Sequence, residues 1–335
     1  MSKDNIPLIL IHYGDSFYLK YVIGCFKLTN PTKTIIFLGD EKNAYLADYG
    51  VTHINLNKYV KCETVKLFNE KFQLIAGVNH NYGKNNGTDY WVRFVFMRWF
   101  IIYECVKELG IEQFWTFDSD NMIVTDLSSS ENDMFEYDCT TQCNGTCMNG
   151  FVNGLSIVKG YIDKIIELFN DEHFLNKQKK DMIKYPSFAF TEMRAFSEYK
   201  KSSPIKTIHL QSLDNGIYIF DDCLITSKLN TTFELDIYLE KNIKSVYFYQ
   251  KMFCFKLKTG EFIQAMNFNL SWVDDFIFRI IYLEIYLLSK KRTTILAIFN
   301  AIFTDYGKKR KMIFKRSLIK RLTLRFFCMV INPKF

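Results

Sequence analysis

Apolar runs and amphipathic periods alternate along the first third of the chain. Residues 6–13 form an almost unbroken apolar run ending in Ile11-His12-Tyr13, the pattern of a strand buried on both faces. Gly14-Asp15-Ser16 interrupts the run and predicts a helix start with Asp15 or Ser16 as its N-cap, while Asn30-Pro31 predicts the helix end. A second strand is expected at Thr34 to Leu38, closed by Gly39-Asp40, and a short third one at His53 to Leu56. Lys58 to Phe72 reads as helical. Trp91 to Leu109 has apolar positions around most of its circumference, which predicts a helix covered on more than one side, with Arg93 and Arg98 as the exceptions. Strands alternating with helices imply an α/β fold with a mostly parallel sheet.

Further along, the pattern is less regular. The segment CMNGFVNGLSIV at 147–158 sets two Asn-Gly steps around a Phe ahead of an expected strand, and Tyr161 to Phe169 is amphipathic. NDEHFLNKQKKD at 170–181 reads as solvated connection. In FAFTEMRAF, 188–196, Thr191 is a candidate helix start with Glu192 in the first turn, where the helix dipole favours an anion. The polar loop at 79–89 is either a lid or a plain surface connection. Residues 271–289 are apolar but interrupted by Arg279 and Glu284, and 295–303 is too short to span a bilayer, which takes about 20 residues, so no transmembrane helix is expected.

The chemistry concentrates at Phe114 to Leu127, FWTFDSDNMIVTDL, where an aromatic strand empties into Asp118 and Asp120. A buried strand ending in two carboxylates delivers both to the edge of a sheet, where α/β folds bind ligands, and paired carboxylates suit a hard divalent cation such as Mn²⁺ or Mg²⁺ carrying a diphosphate. A solvated turn is the plainer explanation of the same tripeptide. The exit of the first strand belongs to the same crevice, which places His12, Tyr13, Gly14 and Asp15 near a nucleotide, with Tyr18 one turn into the helix; strand capping by His12 and Tyr13 is the alternative.

Composition changes this picture at one end of the chain. Hydrophobic residues are 48% of the 335 and aromatics 17%, which excludes a disordered chain. The net charge of +7 is uneven: residues 290–335 carry 13 Lys or Arg against the single acid Asp305, leaving residues 1–289 net negative. An evenly basic surface for nucleic acid is therefore not indicated; the basic tail points to an anionic membrane surface. Within it Phe314, Leu318, Leu322, Phe326 and Met329 recur three or four apart, the spacing of an interfacial helix over 308–330, with a helix docked on its own domain as the alternative. Nine cysteines at irregular spacing, and a polar N-terminus running straight into a strand, lead us to expect free thiols in a reducing compartment; Cys139, Cys143 and Cys147 lack the spacing and fourth ligand of a zinc site.

Three stretches, LILIHYGDSFYLKYVIGCFKLTNPTKTIIFLGD at 8–40, RFVFMRWFIIYECVKELGIEQFWTFDSD at 93–120 and FAFTEMRAF at 188–196, together resemble the bacterial glycosyltransferases of the GT-A fold. The resemblance covers roughly residues 6–270 and implies a nucleotide-sugar donor, expected as a UDP-sugar, a divalent metal held by the DSD aspartates, and transfer to a hydroxyl acceptor. It further implies Arg98 and Ser119 at the donor diphosphate, Asn149 and Asn153 at the sugar, and Glu192, or more weakly Asp214, as the acceptor's general base. One departure stands out: where the family carries a late histidine near the metal, AMNFNLSW has Asn267, which the resemblance therefore sets as a third metal ligand beside Asp118 and Asp120.

The sequence thus leads us to expect a catalytic domain over 1–270 and a basic helical region over 271–335. The expected activity is sugar transfer to a glycan or lipid-linked acceptor in surface polysaccharide synthesis, at the cytoplasmic face of the plasma membrane. A GT-A-like scaffold with little or no catalysis is the competing reading, motivated by Asn267. A nucleotidyltransferase would show a Gly-rich phosphate loop near the first strand, which the chain does not have there.

Overall fold

The computed structural model describes residues 6–81, 87–212, 218–226, 232–238, 240–249 and 252–289, with the backbone of 309–312. Strands β1 (Leu8–Ile11), β2 (Ile35–Gly39), β3 (Thr52–Asn55) and β4 (Gln113–Thr116) lie parallel in the order β3-β2-β1-β4. After β4 the chain crosses at once to a second sheet as β5 (Asn121–Ile123). It then returns through β6 (Cys139–Thr141), β7 (Gly150–Asn153) and β8 (Thr207–His209), which complete the first sheet in the order β4-β7-β6-β8. Only β7 is reversed within that sheet, antiparallel to both β4 and β6. The fold is mixed α/β, with a mostly parallel central sheet flanked by helices.

The helices are α1 (Leu19–Thr29), α2 (Asn57–Val60), α3 (Glu63–Lys71), α4 (Gly87–Leu109), α5 (Glu131–Met134), α6 (Leu155–Asn170), α7 (Glu172–Lys184), α8 (Glu192–Ser202) and α9 (Asp275–Ser289). The pleat explains the unbroken apolar run of β1. Leu8 and Leu10 point into one core with α1 and α9, while Ile9 and Ile11 point into another with α4 and α6, so neither face tolerates a polar residue. Helix α4 likewise buries every residue from Val92 to Val106 except Arg93, Arg98 and Glu104.

The second sheet collects β9 (Tyr218–Phe220), β13 (Val246–Tyr249), β14 (Met252–Lys256), β15 (Phe262–Asn269) and β16 (Lys309–Met312) with β5, in the order β16-β13-β14-β15-β5, and β9 alongside β15. A small sheet of β10 (Ile225–Thr226), β11 (Leu235–Tyr238) and β12 (Lys241–Lys244) adjoins it in sequence.

Several expectations are corrected here. Helix α1 starts after Tyr18, with no side-chain cap, because Asp15 and Ser16 are engaged elsewhere. The 58–72 helix breaks in two at Lys61-Cys62. The strand lies within the 147–158 segment, at residues 150–153, instead of after it, and Gly154 at φ +141° turns the chain directly into α6. The expected surface connection at 170–181 is largely helix α7. Helix α9 packs on α1, with Tyr18 stacked on Phe278 and Tyr21 against Tyr282, so the core that holds β1 and α1 runs on past residue 270. Of the basic tail, 309–312 is a strand antiparallel to β13 rather than part of a helix. The rest of the predicted 308–330 helix, Asp214, and 82–86 of the candidate lid lie outside the described residues. No described helix is long and apolar enough to cross a membrane.

Candidate active site

The C-terminal ends of β1 and β4 open on a cavity of about 950 Å³. Its first wall is the loop leaving β1. Gly14 adopts φ +74°, a left-handed conformation that costs glycine little, and its N–H donates to Asp40 Oδ2 at 2.6 Å. Asn43 Nδ2 donates to the carbonyls of His12 (3.2 Å) and Gly14 (2.7 Å), and Asp40 and Asn43 form the capping box of the short helix after β2. Two side chains following β2 therefore fix the path of the loop.

The loop is joined to the DSD through Ser119. His12 Nδ1 lies 2.9 Å from Ser119 Oγ and its Nε2 3.1 Å from Ser16 Oγ, while the Tyr18 hydroxyl is 3.4 Å from Ser119 Oγ. Burial lowers the His12 pKa to about 4, against the pull of Asp40 and Asp15, so the imidazole is neutral near pH 7 and one nitrogen donates while the other accepts. Burial, and secondarily Asp120, raises Tyr18 to about 12. Tyr13 stands edge-on to Tyr90 and Phe94, at 4.8 and 4.5 Å between ring centroids, forming an aromatic ledge on the cavity wall. Asp15 accepts from the Tyr45 hydroxyl at 2.9 Å.

The DSD is the crossing point between the sheets. Trp115 and Phe117 stack in the core, the Asn121 N–H turns back to the Asp118 carbonyl at 2.9 Å, and β5 leaves on the far side to pair with β15. That crossing leaves Asp118 and Asp120 on the cavity wall. Ser271 Oγ donates to Asp120 Oδ2 at 2.8 Å, and the Leu270 N–H reaches the Asp120 carbonyl at 3.1 Å. Burial first, then the Asp118 charge, raises the Asp120 pKa to about 6.

Arg98, projecting from α4, ties this pair to the opposite wall. Its Nη1 donates to Asp118 Oδ1 and its Nη2 to Glu192 Oε1 at 3.1 Å. Burial alone would lower the Arg98 pKa, but the two carboxylates outweigh it and hold the guanidinium above its ordinary value. Glu192 opens α8, where Thr191 is the N-cap residue, as the sequence predicts. Burial raises the Glu192 pKa to about 7 despite Arg98. Its second oxygen, Oε2, is buried without a hydrogen-bond partner, and the residue lines the cavity.

His12, Tyr13, Gly14, Asp15, Tyr18, Arg98, Asp118, Ser119, Asp120 and Glu192 all meet at this cavity. Asn149 stands behind it, donating to Asp118 Oδ2 at 3.3 Å and to Gln142 Oε1 at 3.2 Å. Asn153 does not join them. Because β7 is antiparallel to β4, Asn153 faces Gln113 at the far end of the strand, about 13 Å along the chain from Asn149, where it bonds Gln113 and the carbonyls of Phe135 and Tyr137. Asn267 is corrected as a metal ligand. It is fully buried, donates to Asn121 Oδ1 at 2.8 Å and accepts from the Asp221 N–H at 2.7 Å, bracing the turn behind the DSD instead of lining the cavity.

Sequence reasoning missed Ser271 and Trp272, which no local pattern marks. Trp272 lines the cavity, 62% exposed, with φ +71°, a left-handed conformation that a bulky residue rarely adopts. Cys143 and Cys147 also line the cavity, whereas Cys139 sits in β6.

Among the described residues no cluster of three or more His, Cys, Asp or Glu could hold a metal. Two carboxylates are nonetheless an adequate protein contribution for Mg²⁺ or Mn²⁺ that keeps waters and takes substrate phosphates as further ligands. Asp118 and Asp120 both line the cavity with carboxylate oxygens, a donor set whose ligand type fits such an ion.

No protein-family model and no curated protein matches the chain. Among solved structures, the glycosyltransferase GlyE of Streptococcus pneumoniae TIGR4 is similar over 64% of this chain at 15% identity, with a TM-score of 0.32. That match spans 47% of the GlyE chain, about half its length. The PaToxG glycosyltransferase is similar over 60% of this chain and 68% of its own, at 12% identity and a TM-score of 0.34. Likeness this remote carries no weight about activity, which has to be argued from the cavity itself.

Proposed function

We propose that the chain is a metal-dependent GT-A-type glycosyltransferase that moves a sugar from a nucleotide diphosphate donor, a UDP-sugar by preference, to a hydroxyl of a saccharide or lipid-linked acceptor. The observation that carries the reading is the meeting of the two DSD carboxylates, Arg98 and a buried Glu192 with one unpartnered oxygen around a single cavity at the strand ends. The resemblance of the 8–40, 93–120 and 188–196 stretches to that family supports it.

Asp118 and Asp120 would hold Mn²⁺ or Mg²⁺, which when bound neutralises charge on the departing diphosphate. Tyr13 and its aromatic neighbours offer a face for the base, and neutral His12 with Ser119 offers uncharged hydrogen-bonding groups beside the diphosphate's path. Glu192 takes the proton of the acceptor hydroxyl on Oε2 in an inverting reaction, while Arg98 holds Oε1 and so fixes the direction of the free oxygen. A pKa of about 7 is close to the best value for a base working at neutral pH. The basic tail supports a peripheral position on the cytoplasmic face of the plasma membrane.

The deciding experiment is a screen of nucleotide-sugar donors for hydrolysis and transfer, with and without Mn²⁺. Metal-stimulated release of nucleoside diphosphate by the native chain, lost in Asp120→Ala, is expected. Donor binding without any turnover would favour the scaffold reading, and full activity of Asp120→Ala in EDTA would rule out the metal role.

A further inference from the structure

The cavity mouth carries a surface that the transfer chemistry does not use. Segment 74–79 runs antiparallel to 185–190: Ala76 bridges Ala189, the Gly77 N–H donates to the Phe188 carbonyl at 2.8 Å, and the Asn79 N–H to the Pro186 carbonyl at 2.9 Å. The close approach depends on Gly77, where a Cβ would collide with the Pro186 backbone at 2.2 Å. This ribbon exposes Val78 (94%) and Phe188 (60%), with Leu74 and Tyr185 also outward, and Ile183 (82%) stands beside it in the last turn of α7. Phe188 also lines the cavity, so the apolar rim and the cavity are continuous.

The same edge is cationic. Helix α7 buries Leu175, Gln178 and Met182 and turns Lys177, Lys179, Lys180 and Lys184 outward with Ile183. Lys180, Ile183 and Lys184 are three and four residues apart and share one face. Among the described residues none of the four lysines makes an ion pair, whereas the nearby Asp181 is taken by Arg194 at 3.0 Å. Protruding aliphatic and aromatic tips beside a helix whose exposed lysines lack carboxylate partners, Lys184 lying over the Tyr185 ring at 5.2 Å, match the boundary between anionic headgroups and acyl chains. A nucleic acid would satisfy the lysines but leave Val78 and Ile183 in water.

We propose that this rim is a docking surface for an anionic lipid bilayer, and that the cavity opens onto the membrane it contacts. The contact is separate from the basic tail and does not depend on the transferase reading, because it is measured without donor or acceptor. On the transferase reading it would turn the cavity that Glu192 lines toward the headgroup level.

The test uses the full-length protein with vesicles of phosphatidylcholine alone or containing phosphatidylglycerol. Hydrogen exchange of 76–79 and 183–188 should slow when the anionic vesicles are added. Lys179→Gln, Lys180→Gln and Lys184→Gln should each weaken cosedimentation about fivefold at moderate salt. The pair Val78→Asp and Ile183→Asp should abolish the exchange protection at the rim. All five positions are solvent-exposed, so unchanged melting is expected and checks that the fold persists. Vesicle binding that survives every variant, with protection confined to residues beyond Ser289, would overturn the proposal in favour of the tail. Rim protection that appears with protein concentration in the absence of vesicles would overturn it in favour of a second copy of the chain.

Discussion

Asp221 and Glu192 are both fully buried carboxylates, both with a pKa raised by burial, and each faces one cation. Their surroundings separate them. At Asp221, Lys244 takes Oδ1, the Asn269 N–H takes Oδ2 at 3.0 Å, and no solvent-sized space adjoins the group within the described cavity. At Glu192, Arg98 is shared with Asp118, one oxygen is unpartnered, and the group looks into a cavity of about 950 Å³. A closed ion pair holds two sheets together; an incompletely satisfied one retains free energy for a ligand that completes it.

The comparison breaks most visibly at the DSD. Asp120→Ala should remove metal-dependent turnover, a loss of at least about 10³-fold given the several kcal/mol a catalytic metal supplies, while the melting temperature changes little. Asp120 is a ligand-facing group whose burial already disfavours its charge, so its removal spares the fold. Lys244→Met is the opposite case. It leaves Asp221 buried and uncompensated and should cost about 3–5 kcal/mol of stability, read by denaturant unfolding, with turnover per folded molecule nearly intact. If the two variants exchanged these phenotypes, the division between structural and functional charge drawn here would be wrong.

Glu192→Gln sharpens the contrast because it should move rate and stability in opposite directions. Transfer should fall about 10²-fold through kcat, with donor affinity kept. The folded-state pKa is raised from 4.5 to about 7, so the native state holds a proton that the unfolded chain releases. That contribution to stability is complete below pH 4.5 and is lost as pH rises through 7. Glutamine keeps the uncharged form at every pH, so the variant should be more stable than the native chain at pH 8, by about 3 kcal/mol at most, and equal to it near pH 4. The native rate should climb with pH and level off above about 7, a limb that Glu192→Gln lacks.

What could be read in the sequence is what local pattern encodes. The run at 6–13, the helix of α4, the DSD at a strand end and Glu192 behind Thr191 each announce themselves within a few residues, and the sheet brings them together. Features set by distant partners were not legible. Helix α7 buries only Leu175, Gln178 and Met182, a stripe too narrow and too polar to show as amphipathic. The strands from β9 to β15 were not anticipated, since their pairing is fixed by long-range register with β5. Asn149 and Asn153 look equivalent in sequence, and the reversed direction of β7 decides that Asn149 is the one at the DSD end of β4. In sequence Asn267 stands in a ligand's place, yet in the fold it braces Asp221 and Asn121.

Asn149 offers the finest test, because it lies where the closed network meets the open one. Its Nδ2 donates to Asp118 Oδ2 on one side and to Gln142 Oε1 on the other, and Gln142 Nε2 continues to the Asp221 carbonyl at 2.8 Å. Asn149→Ala removes one hydrogen bond to a charged group that Arg98 still holds, so it should cost roughly 1.5 kcal/mol, about tenfold in kcat/KM. The signature lies in which step suffers. If Asn149 orients Asp118 for a cation, the concentration of Mn²⁺ giving half-maximal rate should rise while the pH limb assigned to Glu192 stays in place. If Asn149 instead contacts the sugar, as the family resemblance implies, donor KM should rise at unchanged Mn²⁺ dependence, and truncating the sugar hydroxyls should erase the difference between variant and native chain. Asn149→Asp distinguishes the two further: a third carboxylate beside Asp118 and Asp120 should push the Asp120 pKa above about 6 and shift the metal-dependent rate to higher pH.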